Sequence, residues 1–211
     1  MLRCIRVFGP DGAGKSSIIR QMELCGFGGT VINGSAPESW PDPSWHQRVQ
    51  ETGLDRRSPD YHMQTAAQCY RLVGGLLGEA CVTAVLDSDP QHTIAAKAHV
   101  LRRYALADMY ATIGRFVSRY VGSGVEHLGV HVTVPGENEA ERGRVLFDRM
   151  CARGESSMFD PQAAEVAADL AATYDRLEAM WARDLGPCIR LETNPQVFDA
   201  QMLAQTVLET L

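Results

Sequence analysis

Apolar positions recur along this chain with two different periods. From Leu2 to Phe8 apolar and basic residues alternate, and the run passes into Gly-Pro-Asp-Gly-Ala-Gly-Lys-Ser-Ser. Beyond that loop Ile18, Ile19, Met22 and Cys25 fall on one side of a helix that Gly26 stops. The pattern predicts strand, glycine loop and helix in that order. Further β-like runs follow at Thr30 to Asn33, Cys81 to Leu86, Leu128 to Val134 and Cys188 to Leu191. Helical spacing separates most of them. One helix is marked by Ala66, Cys69, Tyr70, Val73, Leu76 and Leu77, and a longer one by Leu101, Tyr104, Ala105, Met109, Ile113, Phe116 and Tyr120. Val166, Leu170, Tyr174, Leu177, Met180, Trp181 and Leu185 mark another, and Val197 to Leu211 reads as a closing helix. Strands that alternate with helices predict an α/β, three-layer fold: a five-stranded parallel sheet with helices on both faces. The exception is Gly34 to Asp60, with four prolines, two tryptophans and little periodicity, which predicts a long loop or flap.

Composition adds bounds. The 211 residues suit one domain spanning 1–211, and 45% apolar with 22% charged residues is globular usage. A net charge of −6 gives no field that would draw the whole protein onto a nucleic acid polymer or an anionic membrane, so any anion site is local. The six cysteines, Cys4, Cys25, Cys69, Cys81, Cys151 and Cys188, form no C-x-x-C pair and read as reduced, buried thiols. A strand beginning at residue 2 leaves no room for a signal peptide. The longest apolar stretch, Leu72 to Leu86, is broken by three glycines and Glu79, so a cytoplasmic location without a membrane span is expected. Two lysines, Lys15 and Lys97, stand against eighteen arginines, a bias that denies functional weight to an arginine outside a motif. The six histidines show no metal-ligand spacing.

Gly9-Pro10-Asp11-Gly12-Ala13-Gly14-Lys15-Ser16 satisfies G-x-x-x-x-G-K-[ST] between a strand and a helix, the context that a phosphate-binding loop requires. Glycines let successive backbone N–H groups point into a nest around a β-phosphate, and the helix N-terminus adds partial positive charge. Gly9, Asp11, Gly12, Ala13, Gly14, Lys15, Ser16 and Ser17 are therefore the nucleotide-binding candidates. Lys15 would reach the β- and γ-phosphates of ATP, and the Ser16 hydroxyl would ligate Mg²⁺. The guanine-reading N-K-x-D of GTPases is missing, because the other lysine, Lys97, lies in Ala-Ala-Lys-Ala. No transporter signature is present either, so a small kinase is favoured, with a non-catalytic nucleotide sensor or assembly ATPase as the alternative. Asp87 ends an apolar strand at the carboxyl edge of the sheet, where it would hold a Mg²⁺-bound water.

The loop GPDGAGKSS resembles that of thymidylate kinases and their deoxynucleoside kinase relatives, in which D-G-x-G-K-[ST] is characteristic. Leu146 to Phe159, LFDRMCARGESSMF, resembles the family's lid with its R-x-x-x-R-G, placing the lid at about 142–160 and matching Arg149 and Arg153 to the lid arginines on the transferring phosphate. LAATYDRL, Leu170 to Leu177, is similar to the helix after the lid, and Ile189 to Gln196 to the last strand and the adenine-covering loop. YHMQTAAQCYRL, from Tyr61, is similar to the helix whose glutamine holds a base edge, which makes Gln64 the matching position. The resemblance implies strand order 2-3-1-4-5 and gives Asp11 to the acceptor side. It departs from both families after the third strand. Their D-R-[YFW] or E-R-S is here Asp87-Ser88-Asp89-Pro90, and the R-E-P-G loop is missing. Ala36-Pro37-Glu38-Ser39-Trp40 is faintly like the deoxynucleoside kinase E-P-V stretch that ends at Trp. Glu38 would accept a hydroxyl proton from a nucleoside-like acceptor, and Trp40, Trp45 and Tyr61 would stack on a ring or anchor the flap of about 34–60. A monophosphate acceptor would instead call on Arg102 and Arg103. The expected partners are ATP and a small-molecule acceptor, with a homodimer left open.

Overall fold

The computed structural model describes residues 2–40, 44, 47, 51, 53, 58–79, 82–102, 104–153, 164–194 and 199–210. Five strands form one sheet in the order β2-β3-β1-β4-β5: β1 (Leu2–Phe8), β2 (Thr30–Asn33), β3 (Thr83–Asp87), β4 (Val125–Thr133) and β5 (Cys188–Glu192). β1 pairs parallel with β3, β2 with β3, and β4 with β5. This is the α/β fold and strand order expected. The helices are α1 (Lys15–Leu24), α2 (Pro59–Glu79), α3 (Pro90–Arg102), α4 (Leu106–Tyr120), α5 (Glu139–Ala152), α6 (Ala164–Asp184) and α7 (Ala200–Glu209), with a 3₁₀ turn at Pro37–Ser39. Among the described residues no helix is long and apolar enough to cross a membrane.

The residues group into two compact units, Met1–Arg6 with Gly29–Leu128, and Val7–Gly28 with Gly129–Leu211. In the first unit Cys4, Ile32, Trp40, Tyr61, Cys69, Tyr70, Leu86 and Ile113 belong to an apolar cluster built by β2, β3, α2 and α4. In the second, α5 packs on α6, with Gly143 bringing the two backbones together: a Cβ there would stand 2.6 Å from the Ala168 nitrogen.

One expected helix is two. The periodicity begun at Leu101 continues through Tyr120, but α3 ends at Arg102 and α4 starts at Leu106. Sequence pattern missed α3 because its buried first turn is polar: Gln91, His92 and Thr93 are all in the interior, so no apolar stripe announces it. Three of the cysteines also differ from expectation, the half-buried Cys188 among them, and Cys81 lies outside the described residues. Cys4 and Cys69 are buried thiols, but Cys25 and Cys151 are exposed, each at a helix end where the apolar face runs out.

Candidate functional site

The glycine loop is held by backbone that only glycine supplies. Gly9 leaves β1 at φ 145°, and a Cβ on it would lie 2.0 Å from the Val132 carbonyl oxygen, so β4 closes that position to any side chain. Gly14 caps α1 at φ 98° with no side-chain hydrogen bond, which leaves the start of the helix to its own N–H groups. Ala13 donates its N–H to the Pro10 carbonyl at 3.2 Å, closing the turn. A loop of this shape, opening a helix that no side chain caps, fits a phosphate group.

Lys15 is buried, and its ammonium donates to the Gly9 and Pro10 carbonyls at 2.8 and 2.9 Å. Asp11, partly exposed, lies 4.0 Å from that ammonium. The cation is thus folded across the loop and held by neutral oxygens. Ser16 and Ser17 are exposed in the first turn of α1, which suits a hydroxyl that serves as a Mg²⁺ ligand.

The two lid arginines occupy different positions. Arg149 is in the last turn of α5 and Arg153, four residues on, is the residue that ends it, and both guanidinium groups come to Gly12. Arg149 donates to the Gly12 carbonyl at 3.2 Å and clasps Thr193, reaching its Oγ1 at 2.9 Å and its carbonyl at 2.5 Å. Arg153 brings a guanidinium nitrogen to 3.5 Å from where a Cβ on Gly12 would stand. Burial, and then the like charge of Arg153, lowers the Arg149 pKa from its ordinary value. The remainder of the expected lid, 154–160, lies outside the described residues.

Thr193 was not among the expected site residues. It is fully buried, with Oγ1 2.7 Å from the Ala13 carbonyl, 3.0 Å from that of Thr133 and within reach of Arg149. One hydroxyl therefore ties the glycine loop, the end of β4 and α5 together. Its signal in sequence was its place directly after the last strand. Residues 195 and 196 of the stretch that resembles the adenine-covering loop lie outside the described residues.

Apart from Asp11, the acceptor-side candidates belong to the other unit. Asp87 ends β3 and is buried; its carbonyl accepts from Gly34 N–H at 2.7 Å, and Ser88 Oγ donates to its Oδ1 at 3.3 Å. Ser88 has φ 59°, and no other non-glycine residue among those described has positive φ. Trp40 is packed into the apolar cluster with its Nε1 donating to the Asn33 carbonyl at 2.7 Å, and Tyr61 is in the same cluster. Gln64 is exposed on α2. Glu38 is within the 3₁₀ turn, and its side chain, like that of Arg102, lies outside what the structure describes, as do Trp45 and Arg103 altogether.

Sequence reasoning also missed a buried ionic cluster. Arg6 of β1 donates from Nε to Asp89 Oδ1 at 2.9 Å and from Nη2 to Asp89 Oδ2 at 2.9 Å, to Gln91 Oε1 at 2.5 Å and to the Tyr70 hydroxyl at 3.1 Å. Burial opposes each charge, but the pairing outweighs it, holding Asp89 well below and Arg6 well above their ordinary values. An arginine in the middle of a strand carries no motif, so nothing in the sequence singled it out.

His131, Asp175 and Glu178 bring three metal-capable atoms within 4.8 Å of one another, a grouping from β4 and α6 that histidine spacing does not reveal. The Arg190 guanidinium already stands among them, 2.9 Å from Asp175 Oδ1, bonded to Glu178 and 3.5 Å from His131 Nδ1. The cationic position is filled by the protein.

No protein-family model and no curated protein matches this chain. Solved structures do. A deoxyadenosine kinase from M. mycoides with bound dATP aligns at TM-score 0.57 and 13% identity over 98% of each chain. The same enzyme with bound dCTP aligns at 0.56 and 12% identity, covering 99% of this chain and 100% of that one. A shikimate kinase from Acinetobacter baumannii in complex with shikimate aligns at 0.51 and 14% identity, covering 100% of this chain and 93% of that one. These neighbours share the fold of this protein, that of small P-loop kinases.

Proposed function

We propose that this protein is an ATP-dependent small-molecule kinase that transfers the γ-phosphoryl group to a nucleoside-like acceptor. The observation that carries the reading is the glycine loop with the Lys15 ammonium folded across it and two arginines beside Gly12. Three cations gathered at the start of an uncapped helix answer the charge of a triphosphate, and phosphoryl transfer is catalysed mainly by positioning and charge neutralisation. Among small kinases of this fold the acceptors named in the solved complexes include shikimate, an alcohol, which suits an acceptor hydroxyl here.

In the proposed step an acceptor oxygen attacks the γ-phosphorus in line. The new O–P bond forms as the bond to the β-bridging oxygen breaks, ADP leaves, and the hydroxyl proton passes to a carboxylate, for which Glu38 is the candidate. Lys15 turns from the loop carbonyls toward the β- and γ-phosphates, Arg153 faces the charge that develops on the transferring group, and Arg149, matched by resemblance to the same role, braces the loop beside it. Mg²⁺, when bound, would offset phosphate charge, with Ser16 the hydroxyl ligand and Asp87 the acid for its water shell. Asp11 and Gln64 are assigned to the acceptor. Trp40 is not retained as a stacking surface, because its ring is committed to the interior.

The test is incubation with Mg-ATP and a panel of nucleosides, nucleoside monophosphates and related alcohols, following ADP. Formation of ADP that depends on one acceptor class supports the kinase. ADP release indifferent to every acceptor points instead to an assembly ATPase, and nucleotide binding without turnover to a sensor.

A further inference from the structure

The turn after β3 is held by an unusual amount of buried polar structure. Asp89 is fully enclosed and its carboxylate receives Arg6 twice, the Tyr70 hydroxyl at 2.6 Å and the His92 ring. Tyr70 Oη in turn accepts the Gln91 N–H at 3.0 Å, and Gln91 Nε2 donates to the Tyr110 carbonyl at 2.8 Å. Two residues back, Asp87 is buried at the end of its strand, and Ser88 between the two aspartates carries a left-handed backbone that a non-glycine residue adopts at a cost. Gly34 closes the other side: a Cβ there would stand 2.7 Å from the Ser88 carbonyl oxygen and 2.8 Å from Pro90 Cδ. A strained residue persists only where its surroundings over-determine it.

We propose that Asp89, Arg6 and Tyr70 are positioning residues for Asp87: their buried cluster fixes the Asp87–Ser88–Asp89 turn and so aims the Asp87 carboxylate from the end of β3. Arg6 and Asp89 neutralise one another, so the cluster lends geometry and not charge. A buried ion pair of this kind contributes little net stability over an apolar equivalent, but it accepts one arrangement of its partners. What it specifies here is the path of a three-residue turn. This inference rests on the kinase reading for its catalytic consequence.

The experiment compares Tyr70→Phe, Ser88→Gly and Asp87→Asn with the parent, measuring acceptor-dependent ADP formation, thermal unfolding and amide exchange at Gly34, whose N–H is bonded to the Asp87 carbonyl. Tyr70→Phe keeps the ring and deletes the hydroxyl, and Ser88→Gly relieves the positive φ, so both are chosen to fold. The expected result is kcat lowered about fivefold or more in each, KM for ATP within about twofold, and no further loss when Tyr70→Phe is added to Asp87→Asn, because coupled residues are not additive. The melting temperature of Ser88→Gly should hold or rise while its turnover falls, a divergence that a merely structural role does not produce. Faster exchange at Gly34 should accompany both variants. Full additivity with Asp87→Asn, or unchanged kcat in both variants, overturns the assignment. If the parent forms no acceptor-dependent ADP, the kinase reading fails on its own. Gly34 exchange then decides the remaining question, and an unaltered rate shows that the cluster does not hold the turn.

Discussion

Two groups of cations in this protein, one in each unit, are held in opposite ways. In the unit with the glycine loop, Lys15 and Arg149 are bonded to main-chain carbonyls, of Gly9, Pro10, Gly12 and Thr193, and Arg149 is depressed in pKa by burial and by Arg153. In the other unit Arg6 is bonded twice to a carboxylate with no exposure on either side, and its pKa is raised. Carbonyls hold a cation without cancelling its charge, so on the kinase reading a positive potential, offset in part by Asp11, is left for the triphosphate; a buried carboxylate cancels it and leaves only shape. The pKa directions differ too: Arg149 is lowered first by burial and then by the like charge of Arg153, whereas Arg6, in spite of its burial, is raised by its pairing with Asp89.

The largest expected effect follows from removing the charge nearest the phosphates. Lys15→Ala should lower kcat by about 10³-fold or more, the scale of losing one preorganised electrostatic contact at a transferring phosphoryl group. Its melting temperature should stay close to the parent's, because the carbonyls of Gly9 and Pro10 lose a donor at a loop edge and no core contact. Turnover near the parent level would break the contrast at its stronger end. In the other unit the corresponding deletion, Asp89→Ala, should act on stability: stripping a buried arginine of its counter-charge costs about 3–5 kcal/mol. Urea unfolding measures this, and a loss below about 1 kcal/mol would mean that water reaches Arg6.

The difference between the units also explains what was legible in the sequence. Local patterns were readable where one segment carries the whole message: β1, the glycine loop and α1 are contiguous, and alternation followed by glycines and helical spacing describes them. The order of the sheet followed from resemblance. The ties made by Thr193 and Arg6 were not readable, since each acts through partners 44 to 180 residues away, Arg149, Thr133 and Ala13 for the one and Asp89, Tyr70 and Gln91 for the other. α3 escaped because its buried first turn is polar, and the place of Gln91 there makes sense only once Arg6 lies opposite.

A smaller effect belongs to pH. His127 on β4 is pushed down to about 4 by burial and then by the Arg6 charge, and its Nδ1 has no hydrogen-bond partner among the described residues. Its folded form is neutral while the unfolded chain takes a proton near pH 6.5, so the unfolded state binds more protons between those values. Stability from this group is therefore full above about pH 6.5 and falls as pH drops toward 4, by on the order of 3 kcal/mol at most. Asp89 adds a later loss: its folded pKa is depressed, so its contribution is present above the unfolded value of 3.8 and declines below it. Urea unfolding at pH 7, 5 and 4 should show the first loss, and His127→Gln should flatten it. An unchanged slope in that variant would assign the pH 4–6.5 dependence to other groups.

The smallest effect sharpens the contrast within the nucleotide unit itself. Arg149 and Arg153 are matched by resemblance to one role, yet Arg149 is tied to Gly12 and clasps Thr193, whereas Arg153 closes α5 with its guanidinium beside Gly12. An arginine that braces the loop in the resting protein acts on ground state and transition state alike, so Arg149→Ala should raise KM for ATP and lower the melting temperature by a few degrees, about 4–8 °C per kcal/mol at small-domain size and less here. On the kinase reading Arg153 faces the charge that develops on the transferring group, so Arg153→Ala should lower kcat about tenfold with KM for ATP little changed. Lysine discriminates further. Arg149→Lys cannot reach Gly12 and Thr193 together, because that clasp needs the planar fork, whereas Arg153→Lys should recover part of the lost turnover as a point charge. Matching KM and kcat changes for the two alanine variants would mean that both arginines move onto the nucleotide together, and the distinction between brace and catalyst would then be lost.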